Sequence, residues 1–183
     1  MATLDTAGAV EQLRAGNIIA YPTEAVFGLG CDPGNESAVR KLLSLKGRSE
    51  SAGLVLIASQ FSQLLPWIAT TDEALLDTAM QSWPGPVTWL FPRAHNVPDF
   101  IAGEHKTVAV RITAHEPSRA LCEAFGGALI STSANHTAAR PARSAAEVED
   151  YFGNNIGGIL AGPLGGAEQP SQIRDLASGK ILR

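Results

Sequence analysis

Charged residues, aromatic residues and cysteines are all scarce in this chain. Asp, Glu, Lys and Arg together make up 17% of its 183 residues, Phe, Trp and Tyr make up 6%, and there are two cysteines. The net charge of −4 provides no overall field that would attract nucleic acid. Two cysteines do not make a disulfide framework, so Cys31 and Cys122 are expected to be free thiols in a reducing compartment.

Targeting and common cofactor signatures are absent as well. No apolar run approaches the ~18 residues of a membrane span, and the N-terminus lacks a basic segment followed by an apolar core. We therefore expect a cytoplasmic location and no membrane contact. The four histidines lack a metal-binding spacing such as H-E-x-x-H and are expected at the surface. There is no Walker A loop, Rossmann glycine fingerprint or nucleophile elbow.

Hydrophobic residues nevertheless make up 45% of the chain, which suits one compact domain over residues 1–183. Short apolar runs typical of strands interleave with amphipathic helical segments, without strict alternation. This order predicts an α/β fold with a mixed sheet flanked by helices. The predicted strands include residues 18–21, 54–58, 87–91, 107–112 and 128–132.

Capping signals predict where several helices begin. Ser144 with Glu147, and Thr70 with Glu73, have the spacing of a capping box. Residues 178–179, Ser-Gly, could form the turn of a C-terminal hairpin.

Residues 17–30, NIIAYPTEAVFGLG, are the most informative stretch. An apolar strand stops at a proline, and Thr23 and Glu24 follow at the strand end. Gly28 and Gly30 then permit close approach to the backbone. Strand ends that break into polar loops are common ligand sites in α/β proteins, although an ordinary strand and turn would give the same pattern.

Lys46 and Arg48 flank Gly47, which is predicted to end a helix that begins at Asn35. Cations are common at helix C-termini, so a solvated cap is one interpretation of this pair. The other is anion binding, in which lysine offers a compact charge and arginine a fork for two oxygens.

Polar residues on the other strands allow similar alternatives. The hydroxyls of residues 131–133 and the Asn135 amide could donate to phosphate oxygens, or could simply form a turn. Arg111 lies in an apolar strand, so its charge must either be paired or face a wet cavity. Thr88 could be an ordinary strand threonine. Cys31 lies close to the candidate site, but no base near it in sequence would activate a catalytic thiol.

Five motifs in register resemble the threonylcarbamoyl-AMP synthase family, also called the TsaC, YrdC or Sua type. They are the 17–30 stretch, KGR at 46–48, WPGPVT at 83–88, VAVR at 108–111 and STSAN at 131–135. The resemblance extends from about Ile18 to Leu176 and implies an open, twisted sheet around one large concave cavity. This chain departs from the family pattern in two places. Ser49 stands where the family usually has proline, and residues 136–139, HTAA, replace a common Ser-Gly continuation.

The resemblance also implies roles for individual residues. Four form a set that binds nucleotide and threonine and carries the catalysis: Lys46, Arg48, Ser133 and Asn135. Four are implied on the amino-acid side: Thr23, Arg111, Ser131 and Ser171. Thr88 and Arg174 are added on the nucleotide side, Arg174 as a candidate for the triphosphate. Walls for the threonine methyl group are expected from Val26, Leu29 and Leu56.

The reaction that the resemblance implies joins L-threonine, bicarbonate or CO2, and ATP into threonylcarbamoyl-AMP and pyrophosphate. ATP is a substrate, Mg²⁺ is expected with it, and partner proteins would use the product to modify tRNA. The chain resembles the family's short form, so it is not expected to modify tRNA alone. The alternative is a non-catalytic RNA-binding or ribosome-maturation factor. The acidic balance and the lack of aromatic-basic stripes argue against it, but RNA or tRNA binding stays open.

Overall fold

The computed structural model describes all residues, Met1–Arg183, and centres on one mixed sheet of nine strands. The strands are β1 (Thr3–Leu4), β2 (Ile19–Pro22), β3 (Phe27–Gly30), β4 (Val55–Ala58), β5 (Val87–Pro92), β6 (Thr107–Ile112), β7 (Leu129–Ser133), β8 (Ile159–Leu160) and β9 (Gln172–Asp175). Their order across the sheet is β1-β8-β2-β3-β7-β4-β6-β5-β9. The edge strands β1 and β9 do not pair with each other, so the sheet is open, as predicted.

Strand pairing is both parallel and antiparallel, which confirms the predicted mixed sheet. The central strand β4 pairs in parallel with β6 and antiparallel with β7. The chain end folds back on β9, where Leu182 N donates to Ile173 O at 2.8 Å and Asp175 N donates to Lys180 O at 2.9 Å. The predicted C-terminal hairpin is therefore present, although its second arm is too short to count as a strand.

Six helices flank the sheet. They are α1 (Thr6–Arg14), α2 (Glu36–Lys46), α3 (Glu73–Met80), α4 (Asp99–Ala102), α5 (Glu116–Phe125) and α6 (Ala145–Phe152). None of them has the length and apolarity that crossing a bilayer requires.

Most of the predicted helix ends are confirmed. The Asn35 side chain accepts from Ala38 N at the start of α2, and Gly47 ends that helix in the left-handed conformation. Ser144 forms the predicted capping box with the glutamate three residues later. The capping box predicted at Thr70 is wrong. Asp72 caps α3 instead by accepting from Ala74 N, since a carboxylate immediately before the helix satisfies the same free N–H groups.

The first face of the sheet is fully packed. A core of 33 buried residues lies there, with contributions from α2, α4 and α6 and from alternate residues of the strands. The alternation of residues 107–112 predicts that Val108, Val110 and Ile112 share one face of β6, with Ala109 and Arg111 on the other. The first three point into this core, which confirms the prediction. Apolar burial on this scale is the main stabilising contribution to a domain of this size.

The second face is only half covered. Helices α1 and α5 pack together over part of it and enclose a smaller core of 10 buried residues, including Tyr21, Ile57 and Leu129. Further along the same strands, the residues on this face become polar. Arg111 pairs with Ile57 across β4 and β6 and so shares its face, and Ser131 is two residues beyond Leu129 on β7. The uncovered half of the face is therefore where polar strand residues collect.

Candidate functional site

The uncovered half of the second face forms a cleft that encloses about 240 Å³. It is lined by the loop after β2, by β3, by the ends of β4, β6 and β7, and by the C-terminal residue. Six of the predicted site residues line it: Thr23, Arg48, Arg111, Ser131, Ser133 and Ser171. The fold thus brings together residues that are up to 148 positions apart in sequence.

The corner between β2 and β3 is a tight turn. Thr23 closes it, since its backbone N and its Oγ1 both donate to Val26 O, at 3.1 and 2.7 Å. The glycine at position 30 serves packing rather than ligand approach. A Cβ there would lie 2.6 Å from Tyr21 Cε1 and 2.5 Å from Ile130 O. Gly28, in contrast, does line the cleft.

Arg48 is half-buried just beyond the end of α2. Its Nη2 donates to Gly53 O at 2.8 Å, and its buried Nε has no hydrogen-bond partner. Burial, and then the nearby charge of Arg183, lowers the pKa of the Arg48 guanidinium. A desolvated cation beside a like charge, with a donor unused, has the charge and the geometry to bind an anion. Its burial differs from the full solvation that the helix-cap interpretation assumes.

Lys46 is buried behind the cleft rather than exposed in it. Its Nζ donates to Ser133 O at 2.5 Å, to Asn135 O at 2.7 Å and to Asn135 Oδ1 at 3.4 Å. Burial, followed by the charge of Arg48, lowers its pKa to about 8. With three donors engaged, the ammonium holds the turn after β7 in place and contributes positive charge to the cleft at short range.

Asn135 continues the same network. Its Oδ1 accepts from Ser133 Oγ at 2.6 Å, and its Nδ2 donates to the carbonyls of His136 and Ala139, both at 2.9 Å. Lys46, Ser133 and Asn135 therefore form one connected unit, of which only Ser133 reaches the cleft surface.

The departure from the family pattern at residues 136–139 has a structural counterpart. Thr137 Oγ1 donates to Lys46 O at 2.8 Å and so ties this turn to the end of α2. Ala138 adopts φ 68°, the one non-glycine residue of the chain with a positive φ. The hydroxyl at 137 is thus used, whereas alanine at 138 occupies a backbone conformation that favours glycine.

The departure at Ser49 changes the backbone little. Its φ of −64° is the value that proline would impose, and its Oγ accepts from Ser51 N at 3.2 Å, capping a short 3-10 turn. The hydrogen bond to the Ser49 side chain thus stabilises the backbone conformation that a proline ring would favour.

Arg111 is 5% exposed and is paired with a carboxylate, which is one of the two alternatives predicted for a charge in an apolar strand. Its Nη1 donates to Glu24 Oε1 at 2.6 Å, and Thr113 Oγ1 donates to the same oxygen at 2.7 Å. Arg111 also lines the cleft, and its Nε has no partner. The two interpretations are therefore compatible, because the pair itself forms part of the cleft wall.

Thr88 is fully buried and reaches the cleft only through a neighbour. Its Oγ1 lies 2.9 Å from Ser171 Oγ, and Ser171 lines the cleft. The threonine can thus orient the serine hydroxyl.

Arg174 is the candidate that the structure places away from the cleft. It pairs with Trp89 across β5 and β9, and Trp89 pairs with Val110 on the packed face. The Arg174 guanidinium lies 5.7 Å from the Trp89 ring centroid and donates to Gln172 Oε1. Strand alternation therefore directs this side chain to the opposite face of the sheet.

Arg183 lines the cleft, although it is not among the residues predicted for the site. The chain end reaches the cleft because residues 180–183 fold back along β9. Burial, and then the charge of Arg111, lowers the pKa of Arg183. No local pattern in the sequence indicates this placement.

Two other expectations need correction. Val26 lines the cleft, but Leu29 and Leu56 lie in the packed core on the other face, because consecutive strand residues point to opposite sides. His115 is buried, with Nε2 3.0 Å from Pro163 O, so it is not a surface histidine. The expectation for Cys31 is confirmed, since it is a buried free thiol whose pKa desolvation raises to about 12, which makes it unreactive as a nucleophile.

Comparison with known proteins gives a consistent result. The family model Sua5_yciO_yrdC, described as telomere recombination, matches residues 11–183. A threonylcarbamoyl-AMP synthase of Halorhodospira halophila is 53% identical over 175 residues, covering 96% of this chain and 92% of that protein. One from Coxiella burnetii is 48% identical, covering 96% and 94%.

Solved structures share the architecture. P. abyssi Sua5 in complex with L-threonine superposes with a TM-score of 0.88 at 33% identity, covering 96% of this chain. This chain spans about half of that protein, 52% of its length. E. coli YciO has a TM-score of 0.85 at 23% identity, covering 97% of this chain and 87% of its own, a likeness of fold alone.

Proposed function

Because the chain belongs to the Sua5, YciO and YrdC family, we infer that it is an L-threonylcarbamoyladenylate synthase. It joins L-threonine, bicarbonate or CO2, and ATP into threonylcarbamoyl-AMP and pyrophosphate. The observation that carries this conclusion is the convergence of three arginines and three serine hydroxyls on one cleft, in a chain 53% identical to a threonylcarbamoyl-AMP synthase.

We assign the amino-acid subsite to the end of the cleft around Arg111. Its guanidinium has donors left for the threonine carboxylate, and Thr23, Ser131 and Ser171 offer hydroxyl groups nearby. Thr88 would act by orienting Ser171. Val26 and Val55 are the aliphatic wall residues available to the substrate methyl group.

The triphosphate subsite is assigned to Arg48, Arg183 and Ser133. The two guanidinium groups supply charge and fork-shaped donors, while the Ser133 hydroxyl donates without adding charge. Lys46 and Asn135 support this subsite by fixing the position of Ser133. Arg183 takes the role that the sequence had suggested for Arg174.

The nucleotide base has a separate candidate pocket. A mostly apolar pocket of about 130 Å³ lies on the same face of the sheet and is lined by Gly53, Leu90, Ala109 and Ile173 among others. Arg48 bridges the two regions, since it donates to Gly53 O. Apolar walls with a few polar groups suit a planar heterocycle such as adenine.

The chemistry requires positioning more than a protein nucleophile. The threonine ammonium first loses a proton to solvent. The free amine then adds to CO2 and releases a second proton, or displaces water from bicarbonate, to give a carbamate. A carbamate oxygen then attacks the α-phosphorus. The bond between this phosphorus and the oxygen that bridges to the β-phosphate breaks, and pyrophosphate leaves with the electron pair of that bond. Arg48 and Arg183 would stabilise the charge that develops on the phosphates, and the cleft would hold the reacting groups in line.

We propose that Mg²⁺ enters with the nucleotide. No cluster of three carboxylate, imidazole or thiolate groups forms a metal cage. The phosphate-bound mode, in which the protein supplies few ligands, therefore fits this cleft better than a resident site. When bound, the ion would neutralise phosphate charge.

The product is a reactive mixed anhydride, so it must be passed on promptly. We propose that partner proteins of the cytoplasm transfer its threonylcarbamoyl group to tRNA, and that this chain alone does not. Direct RNA binding remains the competing function. It would use the same arginine-rich cleft, which ATP and threonine should then fail to occupy.

The test is pyrophosphate release in reactions that each omit one substrate. Release should require ATP, L-threonine and bicarbonate together. A rate that is unchanged without threonine would rule out the synthase. In parallel, the melting temperature should rise with ATP plus threonine, whereas stabilisation by RNA alone would favour the binding function.

A further inference from the structure

The charges in the cleft are unequal in number. Three guanidinium groups line it, from Arg48, Arg111 and Arg183, against a single carboxylate side chain, from Glu24. The arginines are close enough to affect one another, because Arg183 lowers the pKa of Arg48, and Arg111 lowers that of Arg183, each after burial. A cleft with cations throughout would bind phosphate groups at any of the three positions.

Glu24 changes this at one of the three arginines. Its Oε1 accepts from Arg111 Nη1 at 2.6 Å and from Thr113 Oγ1 at 2.7 Å, and its Oε2 takes part in neither contact. The side chains of Arg111 and Glu24 are 7% and 18% exposed. The pair is therefore a neutral, mostly desolvated unit whose partly open side faces the cleft.

Glu24 remains ionised in this setting. Burial alone would raise its pKa, but the charge of Arg111 and the hydrogen bonds from Arg111 and Thr113 outweigh burial and hold the pKa below its ordinary value. A carboxylate of lowered pKa is a poor proton acceptor at neutral pH, so its use here is binding rather than deprotonation.

Threonine and ATP differ in their charge distribution, and the Arg111–Glu24 pair interacts differently with each. Free threonine is a zwitterion with an ammonium and a carboxylate on one carbon, whereas the triphosphate is anionic throughout. A neutral Arg–Glu pair offers a partner to each end of a zwitterion. To a phosphate group the same carboxylate is repulsive, and desolvation strengthens the repulsion.

We propose that Glu24 is a specificity-determining residue that reserves the Arg111 end of the cleft for a zwitterionic amino acid and excludes phosphate from it. The inference rests on the proposed function, since it takes threonine and ATP as the substrates. Glu24 binds the substrate ammonium, Arg111 binds its carboxylate, and the triphosphate is left to Arg48 and Arg183.

The test is Glu24→Gln, which removes the charge with little change of shape. The KM for threonine should rise by about tenfold or more, the loss expected for one charge-assisted hydrogen bond. Binding of pyrophosphate, measured by calorimetry, should become tighter by about three- to tenfold, because Arg111 then attracts anions. A purely structural role for Glu24 would not make any ligand bind more tightly.

Two further variants serve as controls. Glu123→Gln makes the same change in net charge on the exposed side of α5, where Glu123 pairs with Arg119, and should leave both values unchanged. Glu24→Asp keeps the charge but shortens the reach, so it should raise the KM for threonine while pyrophosphate binding stays within about twofold of wild type. If Glu24→Gln does not fold, Glu24→Asp decides the matter by this pattern.

Pyrophosphate binding that is no tighter in folded Glu24→Gln than in wild type would overturn the inference. An unchanged KM for threonine in either variant would do the same. Failure of the proposed function has a different signature, since the wild-type protein itself would then release no threonine-dependent pyrophosphate.

Discussion

The two faces of the sheet are built from the same strands but serve different ends. On the first face, 33 buried residues form a continuous apolar core. On the second, helices α1 and α5 cover one half, and the other half is left open to three arginines and a glutamate. Adjacent residues of β4 illustrate the division, since Leu56 is fully buried on the first face and Val55 lines the cleft on the second.

This difference indicates how the molecule combines stability with a desolvated polar site. Buried cations without full pairing are destabilising, and Arg48 and Arg111 each keep a buried Nε without a partner. The packed face offsets that cost. We therefore expect that substitutions on the first face change stability and not catalysis, and that substitutions in the uncovered half of the second face do the reverse.

The largest effect is expected from Leu56→Ala. Removing a fully buried leucine should lower the free energy of unfolding by about 2–5 kcal/mol, because the cavity cannot collapse within a sheet strand. The kcat/KM for pyrophosphate release should stay within about twofold of wild type, measured where the variant is folded. The free energy of unfolding is measured by denaturant unfolding. Val55→Ala, on the neighbouring residue that lines the cleft, is the matched control. A large fall in kcat/KM for folded Leu56→Ala would break the comparison.

Arg48 provides the opposite case. Arg48→Lys and Arg48→Ala should both reduce kcat/KM by roughly 30- to 1000-fold, which corresponds to a rise of about 2–4 kcal/mol in activation free energy. Alanine removes the guanidinium altogether, and lysine keeps the charge but loses the two-pronged donor group. The melting temperature should change little in either variant. If lysine restored activity to within about threefold, charge alone would explain the role of Arg48, and the assigned phosphate grip would be wrong.

A smaller effect, on stability, is expected from substitutions in the turn at residues 136–139, beside the cleft. Ala138 adopts a left-handed backbone conformation, so Ala138→Gly should raise the free energy of unfolding by about 1 kcal/mol. Ala139→Gly is the control and should lower it by about 0.5–1 kcal/mol, since that residue gains nothing from glycine. Destabilisation by Ala138→Gly would show that the turn carries no strain.

The sequence predicted features that local patterns determine. The apolar alternation of residues 107–112 placed Val108, Val110 and Ile112 in the core, and Asn35 and Gly47 marked both ends of α2. Local hydrogen bonding and side-chain periodicity decide such features within a few residues.

Features that depend on pairing between distant segments were not predictable in this way. The resemblance implied Arg174 and gave no role to Arg183, because only the pairing of β9 with β5 and with the chain end shows which side chain faces the cleft. The Arg111–Glu24 pair joins residues 87 positions apart. The membership of a residue in the site could be proposed from the resemblance, but its partners could not.

Labelled bicarbonate tests the central claim most directly. In the presence of ATP and L-threonine, the wild-type protein should transfer the labelled carbon into an adenylate, and omission of either substrate should abolish the transfer. Folded Leu56→Ala should form the same product at nearly the wild-type rate, whereas Arg48→Ala should form little. Absence of labelled adenylate with the wild-type protein and all substrates present would contradict the account.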